Sequence, residues 1–421
     1  MEVKMKFSQF NIEHKIENNI LLYNTFSSGI LLIEEEDLNE YKNIKLDIDK
    51  NESLLKKELI KGNMIVEDSL NEVDLIKYYS NILRYKNEGL FLTIAPTLSC
   101  NFVCPYCYEK GVDFTTMNEN TIENTLKFIK NNIKKDEPLS ISWYGGEPLM
   151  AFNIIEKLTN EILKYVNIEN FSADIVTNGY LLTREYAKKM KEMKINSAQI
   201  TLDGPPKIHD SRRKLSSGGG SFDRIIENIK NSCDLIDITI RVNLDNTNKE
   251  GIDELVSILK ENDIYDKVFL YIAKVEDLLN ENNINILKEE EFTEYNSRFL
   301  RKNKNFSNIS EFNPNICGAV TNNSFVIDPN GNLYKCWDEI GRKKGCIGNV
   351  TDGIELNNTV IYYGAYNPVE DNQCRKCNLL PICMGGCPYL KKMYGKNDCF
   401  EKKDIVIRKI ENIYKQKLGY N

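Results

Sequence analysis

Short apolar runs alternate with longer amphipathic segments over residues 90–275 of the 421-residue chain. The runs predict strands at Leu90–Ile94, Leu139–Trp143, Ala173–Thr177, Ala198–Leu202, Asp237–Leu244 and Lys267–Ile272. Between them, apolar side chains recur every three or four residues, which predicts helices around 117–133, 152–167, 183–194, 221–232 and 250–262. Strands joined by crossover helices run parallel, so six β/α units predict an α/β fold with an open sheet or a barrel, complete or partial.

The segment before residue 90 has a different pattern. Apolar runs at Ile20–Tyr23 and Gly29–Ile33 predict strands, and the spacing of leucines and isoleucine over 54–60 predicts a helix. Residues 1–90 carry 17 acidic residues against 12 Lys and Arg. We expect a small acidic α+β module at 1–89, or else an N-terminal extension that only packs on the main domain.

The remaining segments complete the predicted domain organisation. Glu281–Ser310 is polar and predicts a helix with a linker, so the main domain spans 90–310. Residues 311–400 are rich in Gly, Asn, Pro and Cys, a composition too poor in apolar stretches for a large core without bound metal. Lys402–Leu418 predicts a closing helix within 401–421.

Composition narrows the classes of function. A net charge of -7 argues against a protein that mainly neutralises nucleic-acid phosphates. No export signal and no membrane-spanning run is apparent, so we expect a cytoplasmic protein. Only His14 and His209 are available for histidine chemistry, whereas eleven of the twelve cysteines cluster at 100–107 and 317–399. In a reducing cytosol such clusters are more typical of metal binding than of disulfides.

The first cysteine group directly follows the first predicted strand. Cys100, Cys104 and Cys107 form a CxxxCxxC pattern where a parallel α/β fold places its active site. Three thiolates are one short of a closed zinc site, whereas a [4Fe–4S] cluster held by three cysteines leaves one iron open. A zinc site completed by a distant fourth ligand is the alternative.

Tyr106 extends the pattern to CxxxCxΦC, with an aromatic residue before the third cysteine. Over residues 90–275 the sequence resembles the radical S-adenosylmethionine (SAM) superfamily. The resemblance implies a partial (β/α)6 TIM-type barrel that binds SAM and a [4Fe–4S] cluster. It also implies reductive cleavage of SAM to a 5′-deoxyadenosyl radical, which abstracts hydrogen from an unactivated C–H bond.

Further positions match the SAM contacts of that superfamily. By resemblance the cofactor-binding residues are Tyr106, Gly145, Gly146, Glu147, Asn178, Thr201 and Arg213. Two adjacent glycines permit close backbone approach to a ligand, and the Glu147 carboxylate can accept from the methionine ammonium. Thr201 is expected at the ribose. The fork-shaped guanidinium of Arg213 suits the methionine carboxylate.

The second cysteine group resembles the SPASM domain, an extension that carries auxiliary [4Fe–4S] clusters in enzymes that modify peptides and proteins. By resemblance one cluster is held by Cys374, Cys377, Cys383 and Cys399, and another by Cys317, Cys336 and Cys387. The second set either leaves an iron open or uses Cys346 as a fourth ligand. The expected total is three [4Fe–4S] clusters, and a pair of zinc sites is the alternative.

The residue after Cys336 bears on the reaction. In sulfatase-oxidising members of the group, the residue at this position is an aspartate that acts as a base. This chain has Trp337 there instead. Asp338, the candidate catalytic base, comes one position later. Sulfatase maturation is therefore the weaker assignment. We expect an enzyme that modifies a ribosomally made peptide, most readily by forming a cysteine thioether. The alternative reactions are epimerisation, carbon–carbon crosslinking and formylglycine formation. The alternatives that are not enzymes are an iron–sulfur electron carrier and a zinc scaffold.

Two partners are implied by this assignment. The N-terminal module resembles the winged-helix recognition modules of peptide-modifying enzymes, so a leader peptide could add a strand to its sheet edge. Its acidity favours a leader that contains some Lys or Arg. A reducing electron donor such as flavodoxin or ferredoxin is also expected.

Overall fold

The fold is described from a computed structural model, which covers residues 3–50, 52–276, 285–303, 316–395, 399, 406–408, 410–411 and 414. These residues form two compact units. The first unit draws on Met1–Lys86, Glu289–Thr321 and Ala365–Asn421, and the second on Asn87–Lys288 and Asn322–Gly364. The domain boundaries expected at 90, 311 and 401 stay predictions. No helix within the described ranges is long and apolar enough to cross a membrane.

The N-terminal part of the first unit is a small α+β structure. Its strands are β1 (Met5–Phe7), β2 (Asn11–Ile16), β3 (Asn19–Asn24), β4 (Ile30–Ile33) and β5 (Ile65–Glu67), and its helices are α1 (Leu38–Leu46), α2 (Leu54–Lys61) and α3 (Glu72–Tyr85). Strands β2, β3 and β4 form an antiparallel sheet in that order, and β1 pairs with β5. The predicted strands and helix are confirmed as β3, β4 and α2. Strands β1 and β5 were not predicted, because three residues are too few to show a hydrophobic period.

Apolar clusters hold this part together, among them the following two. Leu22, Ile33, Tyr41 and Leu59 share one cluster. A second cluster joins Phe10, Val73 and Ile76 to Val369, Cys374, Leu380 and Met384. Because that second cluster combines the N-terminal segment with the C-terminal cysteine segment, removing residues 1–89 would uncover the apolar side chains that the C-terminal segment contributes to it.

The second unit contains the predicted six β/α units. Its strands are β6 (Leu90–Thr97), β7 (Leu139–Gly145), β8 (Phe171–Thr177), β9 (Ile195–Thr201), β10 (Asp237–Leu244) and β11 (Val268–Lys274). Its helices are α4 (Glu119–Asn132), α5 (Phe152–Ile162), α6 (Arg184–Glu192), α7 (Pro206–Arg212), α8 (Phe222–Ser232) and α9 (Ile252–Glu261). The six strands are parallel and lie in sequence order. The α/β prediction is therefore confirmed. The seven-residue helix α7 was too short to show a helical period.

The segment after β11 adds the remaining elements. They are α10 (Glu289–Lys302), β12 (Ser324–Ile327), β13 (Asn332–Tyr334), β14 (Gly348–Asn349), β15 (Gly353–Ile354), α11 (Asn358–Ala365), α12 (Asn372–Arg375), α13 (Leu380–Cys383) and α14 (Pro388–Tyr394). Helix α10 confirms the helix predicted within Glu281–Ser310. The predicted closing helix over Lys402–Leu418 lies largely outside the described residues, although those described at 406–408, 410–411 and 414 are helical.

Strand β12 extends the sheet beyond the six predicted strands. It pairs in parallel with β6, and β13 to β15 continue antiparallel, so this sheet has ten strands within the described residues. The open backbone edge of β6 provides the pairing groups for this extension. Because β6 to β9 are parallel and adjacent, their carboxyl ends lead into neighbouring loops, where the candidate site lies.

Local side chains fix where the helices that follow these strands begin. The side chain of Asn118 accepts a hydrogen bond from the Thr121 amide at the start of α4, and that of Thr183 accepts from the Tyr186 amide at the start of α6. Such caps satisfy amides that have no partner inside the helix. Along β7, Leu139, Ile141 and Trp143 are buried at alternate positions, as a period of two requires.

Candidate functional site

The first cysteine loop follows β6. Cys100, Cys104 and Cys107 are half-buried. The Phe102 amide donates to Cys100 Sγ at 3.4 Å, and the Cys107 amide donates to the Cys104 carbonyl at 3.3 Å. Burial raises the pKa of Cys100 to about 12 and that of Cys107 to about 11. These thiols therefore hold their protons until a cation replaces them, as metal binding does.

The three thiols fit a cluster better than a single ion. Among the described residues, no three His, Cys, Asp or Glu side chains converge as ligands of one metal ion. A [4Fe–4S] cluster does not need that convergence, since each thiolate binds a different iron. The donor set of this loop is therefore compatible with the predicted cluster.

Two glycines hold the loop after β7 against the start of the cysteine loop. Gly145 has a φ of +114°, and a Cβ there would lie 2.2 Å from the Thr97 carbonyl oxygen. A Cβ on Gly146 would lie 2.5 Å from the Ser99 carbonyl oxygen. The Gly146 amide donates to Thr97 and the Glu147 amide to Ser99, at 3.2 Å and 2.9 Å. The glycines thus permit close approach of the protein's own backbone, and their expected approach to SAM stays a prediction.

The Glu147 carboxylate has a structural role that the sequence analysis missed. It is fully buried and accepts from Thr177 Oγ1 at 2.7 Å, from the Asn178 amide at 2.7 Å and from the Leu149 amide at 3.0 Å. Burial raises its pKa, while these hydrogen bonds act to lower it. The carboxylate ties the β7 loop to the end of β8. Because three hydrogen bonds leave acceptor capacity on its two oxygens, the expected acceptance from a ligand ammonium stays a prediction.

Asn178 extends this connection to the cysteine loop. Its Nδ2 donates to Asn101 Oδ1 at 2.7 Å, one residue after Cys100. Thr201, the last residue of β9, is 8% exposed at the same ends of the parallel strands. The predicted cofactor residues Glu147, Asn178 and Thr201 therefore lie at the neighbouring ends of β7, β8 and β9.

A buried network of charged and aromatic side chains contains Arg213 and Tyr106. Arg213 Nη1 donates to the Tyr106 hydroxyl at 2.8 Å, and that hydroxyl donates to the Asp203 carboxylate. Arg212 donates to Asp203 at 3.3 Å and to Asp245 at 2.7 Å. Buried charges need such partners, so the network can fix both arginines.

Arg213 keeps donor capacity within this network. It is 8% exposed, and its Nε has no hydrogen-bond partner among the described residues. A buried guanidinium with an unused donor is suited to a carboxylate ligand. This is the structural observation that best fits the predicted methionine carboxylate of SAM.

His209 supports the network as a neutral ring. The Asp203 amide donates to its Nδ1 at 3.3 Å, so the proton belongs on Nε2, which lies 3.1 Å from Ser221 Oγ. Ser221 Oγ in turn donates to the Arg213 carbonyl at 2.9 Å. Burial and the nearby Arg213 charge lower the pKa of His209 to about 3. The ring therefore holds the backbone of Asp203 and Arg213 without adding charge.

The roles of Asp203, Arg212, Asp245 and His209 were not predicted from the sequence. Asp203 lies two residues after Thr201 and Arg212 directly precedes Arg213, and this proximity to predicted site residues was the available signal. Asp245 follows β10, a strand from which no site residue was expected. Pairing between Asp245 and Arg212 depends on the tertiary fold.

Around Cys336, the second unit presents an acid and a stacked aromatic pair. The Cys336 thiol donates to Asp338 Oδ2 at 3.6 Å, and burial raises the pKa of Asp338 to about 6. Trp337 is 49% exposed and stacks on Tyr144, with ring centroids 5.7 Å apart. Cys346 donates to the Gly348 carbonyl at 3.2 Å and packs against an apolar cluster. Cys346 thus has a local structural role.

The other candidate ligands belong to the first unit. Cys374 is 6% exposed, and burial raises its pKa to about 12, with smaller contributions from Asp371 and then from the Cys383 and Cys399 thiols. The Cys377 amide donates to the Cys374 carbonyl at 3.0 Å. These four cysteines therefore share one neighbourhood.

Cys317 and Cys387 lie beside a small cavity of the same unit. The cavity is lined by Cys317, by Gly386 and Pro388 on either side of Cys387, and by the buried Arg84. Cys336, the third cysteine of this expected set, belongs to the second unit. That ligand set stays a prediction.

The contact between Gly146 and Ser99 can be tested by substitution. Gly146→Ala should lower the free energy of unfolding by about 1–3 kcal/mol, because the new Cβ overlaps a backbone carbonyl. It should also lower the iron bound per chain after anaerobic reconstitution, since the displaced backbone leads into Cys100. Chemical denaturation and iron analysis measure the two effects.

Gly364→Ala is the matched control, because nothing lies within 4 Å of a Cβ placed there. That variant should unfold at the same or a slightly higher denaturant concentration. Equal stability and iron content in the two variants would contradict the steric argument.

The neutral state of His209 predicts a pH dependence. Its folded pKa of about 3 lies below the usual value near 6.5, so the unfolded chain binds the proton first as the pH falls. Its contribution to stability is present above pH ~6.5 and is lost towards pH ~3, at up to about 1.4 kcal/mol per pH unit.

His209→Gln keeps an acceptor and a donor but cannot take up a proton in this range. Urea unfolding at pH 7, 6 and 5 should therefore show a shallower loss of stability for His209→Gln than for the unsubstituted protein. Parallel pH profiles would show that His209 is charged in the folded state.

Comparison with known proteins agrees with this geometry. Residues 94–259 match the family model described as the Radical SAM superfamily. The cysteine-type anaerobic sulfatase-maturating enzyme of Clostridium novyi (strain NT) is 26% identical over 339 residues, which cover 71% of this chain and 88% of that protein. The radical SAM cyclopropyl synthase TigE of Paramaledivibacter caminithermalis is 24% identical over 460 aligned positions, covering 95% and 94%.

Solved structures show the same fold. Native anSMEcpe with bound AdoMet and the Cp18Cys peptide superposes with a TM-score of 0.63 at 20% identity, covering 79% of this chain and 98% of that one. Streptococcus suis SuiB bound to its precursor peptide SuiA gives a TM-score of 0.55 at 18% identity, covering 96% and 100%. Together with the six parallel strands and the CxxxCxxC loop, the family match identifies a radical SAM domain over residues 94–259 of this chain.

Proposed function

We propose that this enzyme is a peptide maturase that uses SAM to join a cysteine sulfur to a carbon of a ribosomally made peptide. The observation that carries the SAM part is Arg213, a buried guanidinium with an unused Nε, held by Tyr106 beside the three-cysteine loop. When bound there, the [4Fe–4S] cluster supplies the electron that cleaves SAM to the radical that removes hydrogen from the peptide.

The chain's own residues bind and orient SAM in this proposal. Arg213 holds the methionine carboxylate, and the carbonyl oxygens after β7 meet its ammonium group. Thr201 contacts the ribose. Glu147 and Asn178 position these loops through their hydrogen bonds and exclude water from the strand ends.

Relatives whose structures contain bound peptides support the substrate class. TigE matches nearly the whole length of this chain, and SuiB was solved with its precursor peptide. These two likenesses cover 95% and 96% of this chain, whereas the sulfatase-maturating relative covers 71% of it. A carbon–carbon bond, as the name of TigE implies, is the second product that we consider.

Cys336 and its neighbours support a maturase that differs from the sulfatase type. Trp337 stands directly after Cys336, where the sulfatase-oxidising group has its base. Asp338 is the available acid, and its pKa of about 6 suits a base that accepts a substrate proton near neutral pH. We therefore propose Asp338 as the acceptor of the substrate thiol proton.

Two auxiliary [4Fe–4S] clusters complete the proposal. One would be held by Cys374, Cys377, Cys383 and Cys399, whose first, third and last thiols interact electrostatically. The other would be held by Cys317, Cys336 and Cys387. The bond from Cys346 to Gly348 favours an open iron in this second cluster, which a substrate thiolate could bind.

Cys104→Ala tests the enzyme class. Anaerobically reconstituted protein with reductant and SAM should form 5′-deoxyadenosine, and Cys104→Ala should form none above the background, because the cluster loses one of its three ligands. Cys233→Ala is the matched control, since this half-buried cysteine ends α8 and lies outside every proposed ligand set. Chromatography quantifies the product, and an active Cys104→Ala variant would refute the assignment.

Coexpression with a short cysteine-containing peptide encoded beside the gene identifies the bond. A thioether removes two hydrogens and one free thiol, whereas a carbon–carbon bond removes two hydrogens and keeps the thiols. Formylglycine replaces the thiol by an aldehyde. Mass spectrometry with thiol alkylation distinguishes the three, and retained thiols would exclude a thioether.

The leader-binding proposal predicts a role for the edge of β4. This strand ends the three-stranded sheet of the described N-terminal part. The Asn24 amide donates to the Gly29 carbonyl at 2.9 Å, so by alternation along the antiparallel ladder the Leu32 amide points away from β3. Leu32→Pro should weaken leader binding about tenfold, because proline removes a donor that an added strand needs.

Fluorescence anisotropy with a labelled leader peptide measures this loss. Cleavage of SAM without peptide serves as the folding control and should be retained by Leu32→Pro. Unchanged leader affinity in a variant that cleaves SAM normally would place the leader elsewhere.

A further inference from the structure

Arg241 of β10 faces one side of the parallel sheet. Its chain neighbours Ile240 and Val242 are fully buried, whereas Arg241 is half-buried. Successive side chains of a strand point to opposite faces, so Arg241 lies on the face opposite to these two apolar residues. We call the face that carries Arg241 the inner face.

The strands on either side place polar side chains next to Arg241. In the parallel register, Arg241 pairs with Thr201 of β9 and with Tyr271 of β11. The Tyr271 hydroxyl donates to Gln199 Oε1 at 2.7 Å, and this bond passes across β10 on the inner face. The interior of a closed β/α barrel is usually filled by branched apolar side chains. A polar inner face at this level is instead suited to a polar ligand.

Arg241 keeps two donor groups unused. Its Nε donates to Asn243 Oδ1 at 2.8 Å. Within the part of the chain that the structure describes, its Nη1 and Nη2 have no hydrogen-bond or ion-pair partner. Arg212, by contrast, is paired with both Asp203 and Asp245. The guanidinium of Arg241 is therefore held at one edge and available at the other.

Asp174 of β8 also faces the inner side, but it does not neutralise Arg241. Its carboxylate accepts from Ser142 Oγ at 2.7 Å. Through the register of β8, β9 and β10 it lies level with Asp237, four residues before Arg241. Four residues of a strand span about 13 Å. Asp174 is therefore too far along the strands to pair with Arg241.

Arg241 shares its surroundings with Asp338 and Tyr144. Burial raises the pKa of Asp338 to about 6, and the Arg241 charge acts to lower it. Burial also raises the pKa of Tyr144, on which Asp338 and Arg241 act with opposite sign. Strands β8 and β9 separate β7 from β10, so Tyr144 and Arg241 approach one another over the inner face. The proposed base and the unused donors therefore face the same space.

The cofactor does not need these donors. SAM carries one carboxylate, which the proposed function assigns to Arg213 beside Tyr106. Thr201, the proposed ribose contact, is level with Arg241, so a group bound by Arg241 would lie beside SAM. A planar guanidinium with both Nη groups free matches a carboxylate through two parallel hydrogen bonds.

We propose that Arg241 is a specificity residue, whose Nη1 and Nη2 bind a carboxylate of the peptide substrate while the cysteine to be joined meets Asp338. The carboxylate belongs either to an aspartate or glutamate side chain or to the C-terminus of the peptide. Arg241 positions the peptide beside SAM and takes no part in bond formation. This inference deepens the proposed function and rests on it.

A double-mutant cycle between enzyme and peptide tests this contact. The probe is the cysteine-containing peptide encoded beside the gene, with the anaerobically reconstituted enzyme, SAM and reductant. Arg241→Gln should raise the KM for this peptide at least about tenfold, with a smaller effect on kcat, because a charged contact is lost. When the bound acid of the peptide is replaced by its amide, Arg241→Gln should change the KM by less than about twofold.

A series of peptides identifies the source of the carboxylate. Each aspartate and glutamate is replaced in turn by its amide, and one further peptide is amidated at its C-terminus. The change that removes the dependence on Arg241 marks the bound group. If Arg241→Gln leaves the KM unchanged, or raises it equally for every peptide of the series, the proposal is overturned.

A charge exchange guards against a merely structural effect of the substitution. Arg241→Glu should bind the natural peptide poorly. It should prefer, at least about tenfold, a peptide in which the identified carboxylate is replaced by lysine, or by an aminoethylamide at the C-terminus. Absence of this preference would contradict a direct contact.

Arg224→Gln is the matched control. Arg224 is an exposed arginine of α8 that pairs with Glu227 at 3.3 Å, so its substitution removes the same charge away from the inner face. The KM for the peptide should stay within about twofold of the unsubstituted value. A rise equal to that of Arg241→Gln would show that only net charge matters and would overturn the proposal.

Two further measurements separate the possible failures. Equilibrium dialysis should give Arg241→Gln the same affinity for SAM within about twofold, and a large loss would mean that Arg241 serves the cofactor, which also overturns the proposal. If the unsubstituted enzyme forms no 5′-deoxyadenosine from SAM and reductant, the proposed function itself fails, and this inference fails with it. Normal 5′-deoxyadenosine formation with an additive cycle would refute the role of Arg241 alone.

Discussion

The close approach of two backbone segments is the constraint on which the site depends. The loop after β7 rests on the segment that leads from β6 into Cys100, and no Cβ can be placed on Gly145 or Gly146 without overlapping a carbonyl oxygen. Two amides of this loop donate to that segment. This close contact fixes where the cysteine loop leaves the sheet after β6. The other contacts of the site depend on that position.

Buried charges then join the strand ends to one another. Glu147 connects β7 with β8 through three hydrogen bonds, and Asp203 connects the end of β9 with Tyr106 and Arg212. Burying carboxylates is costly, and only a full set of donors offsets that cost. The protein therefore concentrates its buried polar groups where the parallel strands end. The unused donor of Arg213 is an exception that has a chemical purpose in the proposed SAM site.

The first unit is stabilised by apolar contacts between its N-terminal and C-terminal segments. Its C-terminal cysteine segment has few long apolar runs, and the N-terminal segment supplies apolar side chains, such as Phe10 and Ile76, to the cluster that contains Cys374. A peptide-recognition role for the N-terminal segment would thus be combined with a structural one. This double use explains why substitutions at the edge of β4 probe recognition more cleanly than a deletion does.

The sequence alone determined the six β/α units, because each strand and most helices carry their own hydrophobic period. It also determined the CxxxCxxC loop, since its spacing is local. It did not predict the four added strands from β12 onward, because pairing with β6 joins segments more than 200 residues apart. The partners of Glu147 and Arg213 likewise come from other strand ends. Tertiary structure decided those contacts, because hydrogen bonding of a buried charge depends on which donors the fold brings within reach, and no local pattern records that.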